Sequence, residues 1–277
     1  MIRVARLSIA PVRGLGLEHP EVVELTATGV LEDRRFYVID DDGRLVDQLI
    51  AGRLVQVKAH TDPAATTLRL AFPGGTVIDA PVELGEAVET HVHGRTAVGH
   101  RVIGPWAAAL EPFAGEPVHL ARCDRPGGTR IANAVSLISD GSLEELARRL
   151  DRSFIDGRRF RMLVEVEGAA AHEEDDWIGG RIGIGTAVLA ITRPDARCAI
   201  TTHDPDTGVR DVDTLRGIIG YRGLRDGRKA DFGILGEVDS PGRIRVGDEV
   251  VVLGAVGVRV PAPIGGGTPE VSPTALA

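Results

Sequence analysis

Arg35-Phe36-Tyr37-Val38-Ile39-Asp40-Asp41-Asp42-Gly43-Arg44-Leu45-Val46-Asp47-Gln48 reads as one β-hairpin. Phe36 to Ile39 are aromatic and β-branched, the side chains that suit a pleated, half-buried surface. Asp40 to Gly43 supply turn chemistry, short acidic side chains followed by a glycine, and Leu45–Gln48 returns as the second strand. The same unit recurs along the chain. Strands are predicted at Ile2–Ile9, Glu21–Leu25, Leu54–His60, Leu68–Phe72 and Thr76–Ile78, with Pro73-Gly74-Gly75 as a second turn. Val88–Val92 and Thr96–Val102 form a hairpin around Gly94. Val118–Cys123, Val135–Ile138, Phe160–Val166, Arg181–Ile184, Ala187–Ile191, Phe232–Val238 and Arg243–Leu253 complete the set. Helices are few. Pro105–Ala114 places Trp106, Leu110 and Phe113 at helical spacing behind a favourable proline. Leu143–Leu150 follows Ser142, with Glu145 three residues later in capping-box spacing; a third helix lies near Val212–Gly220. Many short strands and few helices predict a mostly β protein, barrel-like rather than built on a parallel α/β sheet.

The 277 residues are 43% hydrophobic but only 4% aromatic, so the core must be made mainly of Val, Leu, Ile and Ala. Asp124-Arg125-Pro126-Gly127-Gly128 is the best linker, and the domain boundary is placed there. Residues 261–277 carry Pro, Gly, Ser and Thr without apolar periodicity and are expected to be disordered. A formal charge of −8 argues against a nucleic-acid partner. No apolar run is long enough for a membrane span, and the N-terminus lacks the apolar core of a signal peptide, so a cytoplasmic location without membrane attachment is expected. Two cysteines, Cys123 and Cys198, cannot make a disulfide framework. The basic residues nonetheless cluster: Arg34-Arg35, Arg158-Arg159 and Arg161 are local groups in an acidic chain, a pattern suited to one specific anion.

Arg197-Cys198-Ala199-Ile200-Thr201-Thr202-His203-Asp204-Pro205-Asp206-Thr207-Gly208 carries the most distinctive chemistry. The turn residues after the threonines place Cys198 at a strand end or loop mouth, and Arg197 beside it favours thiolate over thiol. A buried, inert cysteine is the alternative. His203 could serve Cys198 as a base in a nucleophilic-cysteine enzyme, although a residue beyond a strand end often points away. His91 and His93 alternate on a strand but lack a further ligand nearby and read as ordinary hairpin histidines. His172-Glu173-Glu174-Asp175-Asp176 reads as a solvated acidic loop. The glycines of 179–185 lack the helix that a dinucleotide-binding turn requires. Cys123 has no motif around it and is assigned a structural role.

Six ordered segments resemble the MOSC family, named for the C-terminal domain of molybdenum cofactor sulfurases and including the mitochondrial amidoxime-reducing component. Ile9-Ala10-Pro11-Val12-Arg13-Gly14-Leu15 is similar to the family's YPVKS segment, and Gly29-Val30-Leu31-Glu32-Asp33-Arg34-Arg35-Phe36 to its GLxxDR segment. Arg158-Arg159-Phe160-Arg161 resembles the approach to FRPN. Trp177-Ile178-Gly179, the Arg197-Cys198 stretch and Gly242–Val250 follow in the family's order. The resemblance implies an N-terminal β-barrel-like domain, here 1–124, and a MOSC β-barrel with a few short helices, here 125–260. It implies the molybdenum cofactor, molybdopterin, with Cys198 as metal ligand and catalytic centre. Arg13, Arg34 and Arg161 fall on positions that hold pterin and phosphate, and Arg197 and Asn133 on positions lining the same cleft. Arg13-Gly14 stands for Lys-Ser, and Met162-Leu163 for Pro-Asn, which removes one hydroxyl and one amide. The implied activity is reduction of an N-oxygenated or similar small substrate at molybdenum. No cysteine cluster, flavin or haem motif is present in the sequence, so a separate electron-transfer protein is the expected partner. The alternative is a cofactor or sulfur carrier using a Cys198 thiolate or persulfide without turnover.

Overall fold

Eighteen strands and three α-helices follow one another along the described chain. They are β1 (Arg3–Leu7), β2 (Val12–Arg13), β3 (Val22–Leu25), β4 (Phe36–Ile39), β5 (Leu45–Val46), β6 (Lys58–Thr61), β7 (Thr67–Ala71), β8 (Val77–Pro81), β9 (Glu83–Val92), β10 (Arg95–Ile103), α1 (Trp106–Ala114), β11 (His119–Cys123), β12 (Val135–Ser139), α2 (Asp140–Arg149), β13 (Val164–Glu167), β14 (Gly180–Ile184), β15 (Ala187–Arg197), α3 (Thr214–Arg222), β16 (Ala230–Ser240), β17 (Gly242–Arg245) and β18 (Val250–Ala255). The computed structural model describes residues 1–92, 94–130 and 133–255. The tail at 261–277 and His93 lie outside those residues.

The mostly β expectation holds. The Arg35–Gln48 hairpin forms as β4 and β5, and all four residues of β4 are buried. β4 sits inside a six-stranded sheet with path β2-β4-β11-β10-β9, and β5 pairs with β4 off that path. One core lies against it, with Phe36, Leu54, Leu68, Trp106 and Leu120 at or below 1% exposure. Trp106 keeps its indole N–H satisfied by donating to the Leu68 carbonyl at 3.2 Å. The second half builds a seven-stranded sheet in the order β1-β13-β12-β16-β15-β14-β18. β1 therefore leaves the first half to pair antiparallel with β13, and β17 of the second half pairs with β3 of the first.

Three local expectations are corrected. Leu54–His60 is not one strand: a 3₁₀ turn covers Gly52–Gln56 and β6 starts at Lys58. Leu54 and Val55 are neighbours and both buried, which an alternating strand facing a single core cannot achieve. Each buried side chain of this kind is worth about 1.5–3 kcal/mol, enough to outweigh β propensity. Phe160–Val166 likewise splits into a 3₁₀ turn at Gly157–Phe160 and β13, with Arg161 between them in left-handed backbone. The helix opened by Ser142 in fact starts one turn earlier. Ser139 is its cap and accepts from the Ser142 N–H, while Glu145 turns to Arg148 and Arg149 instead of closing a capping box.

The acidic run is not a solvated loop either. Residues Glu173–Trp177 form a 3₁₀ turn, and Glu174 is fully buried. Its carboxylate accepts from the hydroxyls of Ser139 and Ser142, both at 2.7 Å, so it secures the start of α2. Burial raises its pKa above the ordinary glutamate value. His172 bridges Ser142 and the Tyr221 hydroxyl at 3.2 and 3.1 Å.

Candidate functional site

Four turns and strand ends converge on one solvent-open cleft of about 180 Å³. They are the end of β2, the segment entering β4, the turn between Phe160 and β13, and the end of β15. Arg13, Arg34, Asn133, Arg161, Arg197 and Cys198, the six site residues expected from sequence, all line it. Residues 185 positions apart in the chain thus share one surface because β2 and β15 end at the same place.

Three arginines interlock on one wall. Arg13 is 6% exposed; its Nη1 donates to the Thr129 carbonyl at 2.7 Å and its Nη2 lies 3.7 Å from Asp47. Arg34 and Arg161 both adopt left-handed backbone, at φ 54° and 53°, which non-glycine residues enter only when their surroundings hold them there. Arg34 is held by its N–H, which donates to the Ala10 carbonyl at 2.7 Å, and by Thr129 Oγ1, which donates to its carbonyl at 2.9 Å. Its Nη2 reaches the Arg161 carbonyl at 3.3 Å, and Arg161 Nη2 reaches the Leu15 carbonyl at 2.8 Å.

Positive charge is in excess here. Six arginines and three aspartates line the cleft. Burial, followed by the charge of Arg34, pushes Arg161 down to about 9 and Arg13 down to about 10. Guanidinium groups resist deprotonation, so this push expresses itself as positive potential awaiting an anion. Burial alone would raise the Asp33 carboxyl, yet Arg34 and Arg130 outweigh it and hold Asp33 below its ordinary value. Asp33 also accepts from the Ala10 N–H at 2.9 Å, which ties the Arg13 and Arg34 segments together.

Cys198 follows β15 in extended backbone (φ −124°, ψ −179°) and begins the 3₁₀ turn Ala199–Thr202. It is exposed, whereas Cys123 is buried with its thiol raised by burial to about 11. Arg197 does not point a free guanidinium at the opening. Its Nη1 pairs with Asp195 at 2.7 Å, its Nε donates to the Phe232 carbonyl at 2.8 Å, and it lies 5.3 Å from the centre of the Phe160 ring. Asn133 donates to Thr192 at 2.7 Å and accepts from Arg193 at 3.1 Å. His203 is buried and does not line the cleft; it faces a separate small recess with His19 and Lys58.

The remaining basic residues separate by partner. Arg159 lines the cleft but is held bidentately by Asp211 at 2.7 and 2.6 Å, and Arg158 by Asp156 and Asp206. Arg35 turns away to the Asp124 carbonyl. Sequence reasoning gave no role to Asp33, Asp47, Arg130 or Asp195. Asp33 stood inside a quoted motif beside Arg34, which was a usable signal; Arg130 reaches it from 97 residues away and carried none.

The residues present fit an anionic group bearing a soft metal. A thiol is available at the opening, and Arg13 Nε and Gln48 Oε1 are buried at the cleft without a partner. Gly14 lies in left-handed backbone at φ 87°, and a Cβ there would come 3.1 Å from the Asp47 Cα. A serine at this position would be crowded and strained, which accounts for the glycine. Among the described residues no group of three or more His, Cys, Asp or Glu gathers as an all-protein metal site.

The MOSC domain profile matches residues 99–251, and the profile of the MOSC N-terminal beta barrel domain matches residues 1–102. The chain belongs to the MOSC family. Similar proteins include the mitochondrial amidoxime reducing component 2 of Macaca fascicularis, 35% identical over 89% of this chain and 82% of that one. The mitochondrial amidoxime-reducing component 1 of Mus musculus is 29% identical over 91% of this MOSC chain and 82% of its own. Among solved structures, the YUAD protein from Bacillus subtilis aligns with 90% of this chain and 94% of its own at 15% identity and a TM-score of 0.44. No helix among the described residues of this MOSC protein is long and apolar enough to cross a membrane.

Proposed function

We propose that this MOSC protein binds the molybdenum cofactor and reduces N-oxygenated or similar small substrates, drawing electrons from a separate protein. The observation that carries this reading is the juxtaposition of an exposed cysteine with three interlocked arginines whose positive charge the nearby Asp33 and Asp47 only partly offset. When bound, the cofactor would supply a metal able to accept oxygen from the substrate and to be re-reduced by two electrons. Cys198 would provide the soft thiolate ligand. Arg13, Arg34 and Arg161 would hold the anionic phosphate and pterin edge by charge-assisted hydrogen bonds. Arg197, engaged by Asp195 and Phe232, would stiffen the wall beneath the cysteine.

The exposure of Cys198 also favours a second reading, in which the thiol carries sulfur or cofactor to another protein without turnover. One preparation separates the two. Protein made in a host competent for cofactor synthesis is expected to carry molybdenum and pterin in equal amounts, and Cys198→Ser to lose the metal. With an artificial electron donor, the enzyme reading requires many reductions of an amidoxime per bound metal. Cyanide-releasable sulfur on Cys198 together with zero turnover would establish the carrier. Metal-free wild type beside a loaded control molybdoenzyme would end the enzyme reading and cofactor carriage alike, and would leave only sulfur carriage, which the cyanide assay decides.

A further inference from the structure

The turn that presents Cys198 is fastened from behind by a file of hydroxyl groups. Thr201 Oγ1 donates to the Cys198 carbonyl at 3.1 Å, and the Thr201 N–H approaches the same oxygen at 3.3 Å. Thr201 Oγ1 in turn accepts from Thr214 Oγ1 at 2.8 Å. Thr201 is 3% exposed and Thr214 fully buried, so water cannot substitute for either partner. Thr214 opens α3, where the preceding Asp213 caps the helix by accepting from the Arg216 N–H at 3.0 Å. The Cys198 backbone is thereby referenced to a capped helix rather than to the loop that follows it. Thr202 repeats the device one residue on, donating to the Ala199 carbonyl at 2.7 Å and accepting from Arg210 Nε at 3.1 Å.

We propose that Thr201 and Thr214 are positioning residues, a buried hydroxyl relay through which α3 fixes the Cys198 thiol at the cleft. Thr201 borders the cleft and Thr214 does not; neither belongs to the cofactor-holding set above, and the relay acts through the cysteine backbone. Its consequence for metal retention rests on the proposed function; its consequence for the thiol does not.

The test uses cofactor-free and cofactor-loaded forms of the full chain. Cys123 is fully buried, so iodoacetamide followed by mass spectrometry reads Cys198 alone. Thr201→Val keeps the shape and removes the hydroxyl. One net hydrogen bond corresponds to about a three- to tenfold effect, so alkylation of Cys198 is expected to accelerate by that factor across neutral to alkaline pH. Release of molybdenum from the loaded form is expected to quicken by a similar factor. Thr201→Ser restores both rates, and Thr214→Val moves them in the same direction by less. If Thr201→Val does not fold, Thr214→Val alone carries the measurement, since the side-chain hydrogen bond that joins Thr214 to the turn runs to Thr201. Alkylation at the wild-type rate in every folded variant overturns the proposal, as does failure of serine to restore it. Altered alkylation in a protein that never takes up molybdenum would keep the relay and sink the cofactor reading instead.

Discussion

Arg34 and Arg161 keep their side chains in the cleft on backbone that costs a non-glycine residue on the order of 1 kcal/mol or more. Ala65, Asp151, His172 and Asp226 share this backbone away from the cleft, so it is the side chains of Arg34 and Arg161, not the strain alone, that mark the site. Arg161→Ala is accordingly expected to weaken cofactor retention by about ten- to a hundredfold, the loss of a charge-assisted contact of about 1.5–3 kcal/mol. The cofactor-free melting temperature should move by only a few degrees, because removing one of three mutually repelling charges offsets the lost bond to Leu15. A large fall in melting temperature with retention intact would make Arg161 a structural residue. Cys198, Arg13, Arg34 and Arg161 could be assigned to one cleft from the sequence because each sits in a segment that resembles a MOSC motif, and all four line the cleft. The pairing of Asp33 with Arg130 and of Arg13 with Asp47 was not legible there. Those pairs exist only after distant segments meet, and no local spacing encodes them. Arg197 was legible as a residue of the cleft, but its partner Asp195 fixes it in the wall, and two residues of separation could not reveal that.

At the level of single elements, Glu174 joins the two hydroxyls that open α2 and does so without a cationic partner. Its folded pKa is raised above the unfolded value by burial. The neutral form is therefore the one the fold favours, and the associated stability is fully present below the unfolded pKa. It is lost as pH rises through the folded pKa. Glu174→Gln holds the neutral form at every pH, so the melting temperature of the variant minus that of the wild type is expected to increase from acid to neutral pH. Thermal denaturation across that range measures it; a flat difference would show that Glu174 is not the titrating group. The acidic sequence around it suggested solvent, because composition averages over a run and cannot single out the one carboxylate that turns inward. The same holds for Leu54–Val55. Strand, turn and helix share the same apolar letters, and a strand buries two adjacent side chains only where cores lie on both its faces, as for Phe36 and Tyr37. Hairpins such as β4–β5 and β9–β10 were legible because turn chemistry at their ends removes that ambiguity.

Across the whole molecule, the two halves exchange strands: β1 lies at one edge of the seven-stranded sheet, and β3 pairs with β17. The segment after Cys198 is fastened to the first half as well. Gln56 donates to the Thr207 carbonyl at 3.1 Å, and Gly208 packs so closely on Gly52 that a Cβ there would overlap its carbonyl. A fragment spanning 125–260 alone would expose the β13 edge and lose Val4 and Leu7 from its core. It is expected to aggregate, with recovery when residues 1–124 are supplied in trans. Circular dichroism and sedimentation of the fragment test this, and a monomeric fragment with cooperative melting would refute it. The exchange also sets a schedule for synthesis. β1 leaves the ribosome before its partner Val164–Glu167, which is made about 160 residues later. At roughly 5–20 residues per second, β1 waits on the order of ten to thirty seconds with its edge unpaired. During that interval the nascent chain depends on whatever shields an exposed strand, so the speed of translation enters the yield of folded protein.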